Sequence, residues 1–239
     1  MPEVGRDGTE HGETTMPTVL LTGASRGIGR ELLNQYKQDG WTVIAACRDP
    51  GGVGDIGADQ VLPLDVTSEE SILALKDAVG GKPIDVLWNN AGVYLDKGMS
   101  LAETGFAVWS ESFAVNTIAP LRIANAFAAN VAASDKKTMA FTSSRMGSIG
   151  DLGGAANAYA YRSSKTALNM AAALLANDLR DSGVKTAVLH PGWVRTDMGG
   201  PSADIDTVTS ASGMKRVVDN LTDAQSGGFF NYDGKTWPW

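Results

Sequence analysis

Thr22-Gly23-Ala24-Ser25-Arg26-Gly27-Ile28-Gly29 is the stretch that decides how this chain folds. On its amino side, Thr18–Thr22 is a short apolar run of strand length. On its carboxyl side, residues 28–38 read as a helix, with Ile28, Leu32, Leu33 and Tyr36 on one face and Gly40 as the stop. Glycines in such a turn let the backbone bend tightly and let the helix pack close to the strand. The helix start then points its unbonded N–H groups at an anion. A plain strand-to-helix turn is the alternative reading. Its place at the first crossover favours nucleotide binding.

The same alternation continues outward. Thr42–Cys47 reads as a second strand and residues 61–64 as a third. Thr67 with Glu70 matches a capping box opening a helix whose stripe is Ile72, Leu75 and Val79. Residues 85–88 read as the fourth strand, 105–131 as a long helix and 137–142 as the fifth strand. An alanine-rich helix over 157–181 ends at Gly183, and Lys185–His190 is halted by Pro191-Gly192. Residues 196–225 carry weak periodicity. Gly228–Asn231, followed by the turn Asp233-Gly234, closes the series. Strands joined by helix-length connections give a parallel sheet covered on both faces. The expected fold is therefore an α/β single-domain doubly wound parallel sheet, Rossmann-like, with ligands at the carboxyl ends of its strands.

Composition narrows the function classes. A chain of 239 residues with 43% hydrophobic and 20% charged residues suits one substantial core. A net charge of −7 with no basic face argues against nucleic-acid binding, which needs cations to displace phosphate counterions. No stretch is apolar and long enough to span a bilayer, so no membrane partner is expected. Cys47 is the sole cysteine, which fits a reducing, cytoplasmic setting. Residues 1–16 are expected to be a disordered extension, with Met16 before Pro17 resembling an alternative start and residues 17–239 forming the domain. No metal site is expected.

Further along, Tyr161 and Lys165 are four apart on a helix and therefore share a face. A free phenol has a pKa near 10 and exchanges protons poorly at neutral pH. A neighbouring ammonium is expected to favour the phenolate and bring that pKa down. An ordinary surface pair is the plain alternative. Tyr159 competes for the role, but the residue four positions on from it, Ser163, is uncharged.

Taken together, Gly23, Gly27 and Gly29, Asp65-Val66, Asn89-Asn90-Ala91-Gly92, Asn116 and Tyr161-Arg162-Ser163-Ser164-Lys165 resemble the motifs of the short-chain dehydrogenase/reductase family, in that family's order. The resemblance spans Thr18 to about Thr196. It implies an oxidoreductase that moves hydride between a nicotinamide cofactor and a small carbonyl substrate. The implied cofactor contacts begin with Gly23, Ser25, Arg26, Gly27, Ile28 and Gly29. They continue through Arg48, Asp65, Val66, Asn90, Ala91 and Gly92, with Asn89 and Asn90 also read as bonding their own loop. They close with Tyr161, Lys165, Pro191, Gly192, Val194 and Thr196.

The implied catalytic set is Asn116, Ser144, Tyr161 and Lys165, with Tyr161 the proton donor and Asn116 the holder of a relay water. Ser143 and Ser148 stand as alternatives to Ser144, because seventeen positions separate Ser144 from Tyr161, a longer interval than family members often show. Asn116 also reads simply as a helix-interior polar residue bonded to a neighbour.

An acid at the end of the second strand suits the NAD ribose, whereas cations suit the NADP 2′-phosphate. Here that strand ends in Cys47-Arg48 and the loop carries Arg26, so NADPH is expected, with NADH the alternative. Solvated surface charge is the plain reading of both arginines, and Asp49 lies close by. The run from His190 to Gly200 and the ending from Phe229 to Lys235 resemble the C-factor and sniffer-type carbonyl reductases. His190 reads as a strand residue. Trp193, Met198 and the segment to about 225 read as a mobile substrate lid. A signalling or nucleotide-sensing role is the competing function. An enoyl reductase is disfavoured, because that subgroup spaces its tyrosine and lysine more widely. The resemblance also implies a homodimer or homotetramer, with Ala171 to Ala176 packing either on a partner or on the chain's own sheet.

Overall fold

A computed structural model describes residues 16–51 and 57–239. Of the expected N-terminal extension, residues 1–15 lie outside the described residues. Seven parallel strands form one sheet: β1 Thr18–Thr22, β2 Thr42–Cys47, β3 Gln60–Pro63, β4 Val86–Asn89, β5 Thr138–Thr142, β6 Lys185–His190 and β7 Gly228–Asn231. Their spatial order is β3-β2-β1-β4-β5-β6-β7, so the winding reverses between β1 and β4. β2 and β4 flank β1 with Leu20 level with Ile44 and with Leu87.

Alternation along the strands builds two cores. Leu20, Ile44, Leu87, Phe141, Val188 and Phe229 face α2 (Glu69–Val79), α4 (Ala119–Ala132) and α5 (Tyr159–Asp178). Leu21, Val43, Trp88, Ala140, Leu189 and Phe230 face α1 (Gly27–Gln38) and α6 (Thr207–Asp219). Fully buried strands of this kind read as near-continuous apolar runs, and the helices covering them supply both outer layers. The doubly wound architecture is as expected from the sequence.

Three local expectations change, and the alanine-rich helix takes one of its two expected packings. The cap of α2 is Ser68, whose Oγ accepts from the Ser71 N–H at 3.1 Å. Thr67 is unavailable because its hydroxyl and N–H both donate to Asp65 Oδ1, at 2.7 and 2.9 Å. The long helix over 105–131 is interrupted: α3 (Phe106–Phe113) passes through a π-helical turn, Ala114–Ile118, into α4. Residues 196–225 are not uniformly loose, since α6 buries Ala211, Met214 and Val218 against the sheet. The alanine-rich helix packs on its own chain through Ala172 and Ala176, while Met170 and Leu174 stay exposed.

Candidate active site

At the carboxyl end of β1 the chain turns through Gly23, whose φ is +66°. A Cβ there would sit 2.9 Å from Ala91 Cα, and one on Gly29 would strike the Gly23 carbonyl oxygen. Only glycine permits both the torsion and these approaches. Thr22 Oγ1 accepts from the N–H groups of Asn90 and Ala91 at 3.0 and 3.2 Å, and Asn90 Nδ2 donates to the Gly23 carbonyl at 3.2 Å. The Asn-Asn-Ala-Gly segment after β4 is thereby stitched to the loop after β1. Asn89, buried beside them, makes no side-chain hydrogen bond among the described residues.

The N-cap of α1 is Arg26, which gives no side-chain cap, and the helix opens with Arg30 N–H donating to the Arg26 carbonyl. The opening N–H groups of α1 are therefore free to bind an anion. Ser25 lies half-buried in the turn, and Ile28 packs onto the core under α1. This backbone cradle, which a Cβ would fill, fits a dinucleotide pyrophosphate. Of the two expected phosphate-binding cations, Arg48 is exposed at the end of β2, and Arg26 forms an ion pair with Asp197. Asp65 stands beyond β3, its carboxyl held below the usual range by hydrogen bonds from Thr67 and, more weakly, by the Arg48 charge. Val66 packs onto the core under α2 and α4.

The catalytic candidates converge from the turn after β5, from α5 and from the π turn. Tyr161 and Lys165 are both buried on α5. Ser144 acts on the Tyr161 phenol to lower its pKa, and its Oγ accepts from the Met146 N–H at 3.1 Å, capping a 3-10 turn. Its two rivals are engaged elsewhere. Ser143 Oγ lies 2.5 Å from Asn169 Oδ1, and Ser148 donates to the Pro238 carbonyl at 2.7 Å. Lys165 Nζ donates to the Thr142 carbonyl at 2.9 Å and sits 6.0 Å from the Tyr161 ring centre.

The acidity of the phenol differs from expectation. Burial pushes Tyr161 up to about 12, against a lowering pull from Ser144 and with smaller raising contributions from Tyr94 and Asp96. Lys165 is itself pushed down to about 8 by burial. Desolvation is the largest cause of both shifts, and the Lys165 ammonium spends a hydrogen bond on the Thr142 carbonyl.

Asn116 occupies the π turn, a helical irregularity that gathers at functional sites. Its Oδ1 accepts from Val93 N–H at 2.9 Å, and Nδ2 donates to the Val93 carbonyl at 2.9 Å and to Ser164 Oγ at 3.0 Å. The side chain is thus committed to pinning the segment after β4. A Cβ on Gly92 would lie 3.2 Å from Asn116 Oδ1 and 3.5 Å from Lys165 Nζ, so these three meet.

The Pro-Gly corner sends the chain from β6 back over the phosphate loop. Pro191 accepts at its carbonyl from Ser210 Oγ at 2.6 Å, and buried Val194 bridges to Ile205. Thr196 Cγ2 would lie 3.4 Å from a Cβ on Gly27. His190 ends β6 buried and is pushed down to about 4 by burial, so it stays neutral. Tyr159 merely opens α5.

Three neighbours of these residues carry no mark in the sequence. Tyr94 stacks on Tyr161 with ring centres 4.3 Å apart. Asp96 accepts from the first N–H groups of α5. Asp197 takes the Arg26 charge.

A sequence profile described as short chain dehydrogenase matches residues 17–206. The C-signal protein of Myxococcus xanthus is 44% identical over 163 residues, 66% of this chain and 93% of its own. The NADPH-bound carbonyl reductase from chicken fatty liver superposes with a TM-score of 0.84 at 33% identity, covering 94% of this chain and 99% of that one. The carbonyl reductase Sniffer of D. melanogaster also gives 0.84, at 28% identity, with 94% and 100% covered. No helix among the described residues is long and apolar enough to cross a membrane. The chain belongs to the short-chain dehydrogenase/reductase family and is an oxidoreductase of the carbonyl-reductase type.

Proposed function

We propose that this enzyme uses NADPH to reduce a small carbonyl compound, an aldehyde, ketone or quinone, to its alcohol. The observation carrying this reading is the buried meeting of Ser144, Tyr161 and Lys165 beside a glycine cradle suited to a pyrophosphate. NADPH, when bound along the loops after β1, β4 and β6, supplies the hydride. Arg26 and Arg48 would take its 2′-phosphate, which a planar guanidinium suits well.

In this reading Ser144 holds the substrate oxygen and Tyr161 gives it a proton as negative charge develops there. A phenol with a pKa near 12 is fully protonated at neutral pH, so the donor is loaded before reaction. Lys165, near 8, is then mostly an ammonium and opposes the charge left on the phenolate. The loop over 193–206, which carries exposed Trp193 and Met198, would form the substrate lip, with α6 as its fixed base. The exposed Met170 and Leu174 on α5 support a homodimer or homotetramer.

Likeness to C-signal gives a second reading, in which binding rather than turnover matters. Binding alone has no use for a buried Ser-Tyr-Lys set. NADPH and NADH oxidation against aldehydes, quinones and diketones decides between them. Tyr161→Phe should lower kcat by about 10²- to 10⁴-fold, the usual contribution of a general acid. Turnover surviving that substitution, or no affinity for either dinucleotide, sinks the proposal.

A further inference from the structure

We propose that Asp96 is a positioning residue for this reaction, a buried carboxylate reaching across the fold to cap α5 and fix Tyr161. The inference rests on the reduction chemistry above and adds a residue that the motif pattern omits.

α5 begins without a cap of its own. Its N-cap, Ala158, has φ 54° and ψ 47°, a left-handed conformation costly for alanine, and it has no side chain to offer the first turn. Ala158, Ala160 and Tyr161 are all buried, so N–H groups left unpaired there would be penalised. Asp96, 64 positions earlier in the connection after β4, meets that need. One of its oxygens accepts from Ala160 N–H at 2.7 Å, and the other lies 3.3 Å from Tyr161 N. Asp96 has no exposed surface. A carboxylate placed here also suits the positive end of a 20-residue helix.

The neighbours of Asp96 extend its role. Tyr94, two residues earlier, stacks on the Tyr161 ring. Lys97, the next residue, donates to the Met198 carbonyl at 3.1 Å and so ties the same connection to the loop lying over the phosphate turn. One short segment therefore sets the phenol's ring face, its backbone anchor and the proposed substrate lip. A cap supplied from within α5 would stabilise the helix equally but would not fix it relative to this segment.

Asp96 also acts through charge. The titratable or charged groups set against Tyr161 are Tyr94 and Asp96 from the connection after β4 and Lys165 from α5, with Arg162 facing Tyr94. The Asp96 carboxylate disfavours the phenolate and keeps the donor protonated.

The test uses the full-length protein, NADPH and 2,3-butanedione as the probe, comparing Asp96→Ala and Asp96→Asn. Asp96→Ala should lower kcat by about 100-fold, the loss typical of a misplacement near 1 Å, with the NADPH KM changed by less than about twofold. Asp96→Asn retains an acceptor and should recover kcat to within about fivefold of the parent. In that variant the alkaline limb of the phenol, which lies above that of Lys165, should shift to lower pH by about half a unit, because the charge opposing phenolate is gone. Hydrogen exchange gives a readout independent of turnover: in Asp96→Ala the amides of Ala160 and Tyr161 should exchange at least about tenfold faster.

If Asp96→Ala fails to fold, the pH limb and kcat of Asp96→Asn decide. A kcat for Asp96→Ala within twofold of the parent overturns the proposal, as does an unmoved or upward limb for Asp96→Asn. Absence of turnover in the parent protein defeats the reduction reading instead, and exchange at Ala160 and Tyr161 then decides the cap: unchanged rates there reject it.

Discussion

The glycine turn after β1 and the start of α5 both lie beside the segment after β4, yet they are made from different material. The turn is backbone: Gly23 and Gly29 leave no room for a Cβ, and its hydrogen bonds run mainly between main-chain groups and the side chains of Thr22 and Asn90. The α5 region is an assembly of buried polar side chains. Ser144 reaches Tyr161 from the turn after β5, Asn116 binds Ser164 from the π turn, and Asp96 arrives from the connection after β4. The first region works by excluding side-chain atoms, so its tolerance is steric. The second works by holding polar groups away from water, so its cost is electrostatic.

Four experiments break or sharpen that contrast. The largest expected effect is steric. Gly29→Ala forces a methyl into the Gly23 carbonyl and should destabilise the fold by about 3 kcal/mol, the upper end for overpacking, while abolishing dinucleotide binding. Chemical denaturation and NADPH titration check both parts, and a variant of parental stability would show that the turn yields.

The electrostatic counterpart is Lys165→Met, which should abolish turnover yet stabilise the dinucleotide-free protein by about 2 kcal/mol at pH 7. Folding lowers the Lys165 pKa from 10.5 to about 8. The unfolded chain therefore binds the extra proton between those values. The penalty is full below pH 8 and fades as pH rises toward 10.5. Melting curves of parent and variant should differ most below pH 8 and converge above it. A variant less stable at pH 7 would refute this account.

Arg48→Asp comes next, at about 1.4 kcal/mol or more, read as at least a tenfold rise in the NADPH KM with the NADH value little changed. Equal changes for both cofactors would remove Arg48 from the 2′-phosphate site. The smallest effect belongs to Asp197→Asn. It releases Arg26 from an exposed ion pair, for which less than about 1 kcal/mol is expected. Stability should hardly move, whereas NADPH affinity should rise slightly at low salt and lose that gain at high salt. A fall in affinity would mean that Asp197 orders the turn rather than competes for Arg26.

The same contrast explains what could be read in advance. Thr18–Thr22, the glycine turn and α1 are contiguous, and each follows from spacing within about twenty residues. Tyr161 and Lys165 were visible because four positions make one helical turn. The choice among Ser143, Ser144 and Ser148 was not, since it depends on which hydroxyl is drawn off by Asn169 or the Pro238 carbonyl. The Ser68 cap was missed because Asp65 takes Thr67 out of use. α6 was missed because its buried face includes Ser210, Gly213 and Lys215, which blur the apolar stripe. Nothing marks Asp96 for burial, since its partners are main-chain amides more than sixty positions away.

By itself, the sequence determined the doubly wound class, the glycine turn and the pairing of phenol with ammonium, because each is a local pattern of size, torsion or helical period. Only the tertiary structure decided where Ser143 and Ser148 spend their hydroxyls, where α5 finds its cap, and that burial is the largest influence on the phenol's acidity. Those outcomes depend on how far water is excluded and on which distant groups fill the space, and both are properties of the packed chain.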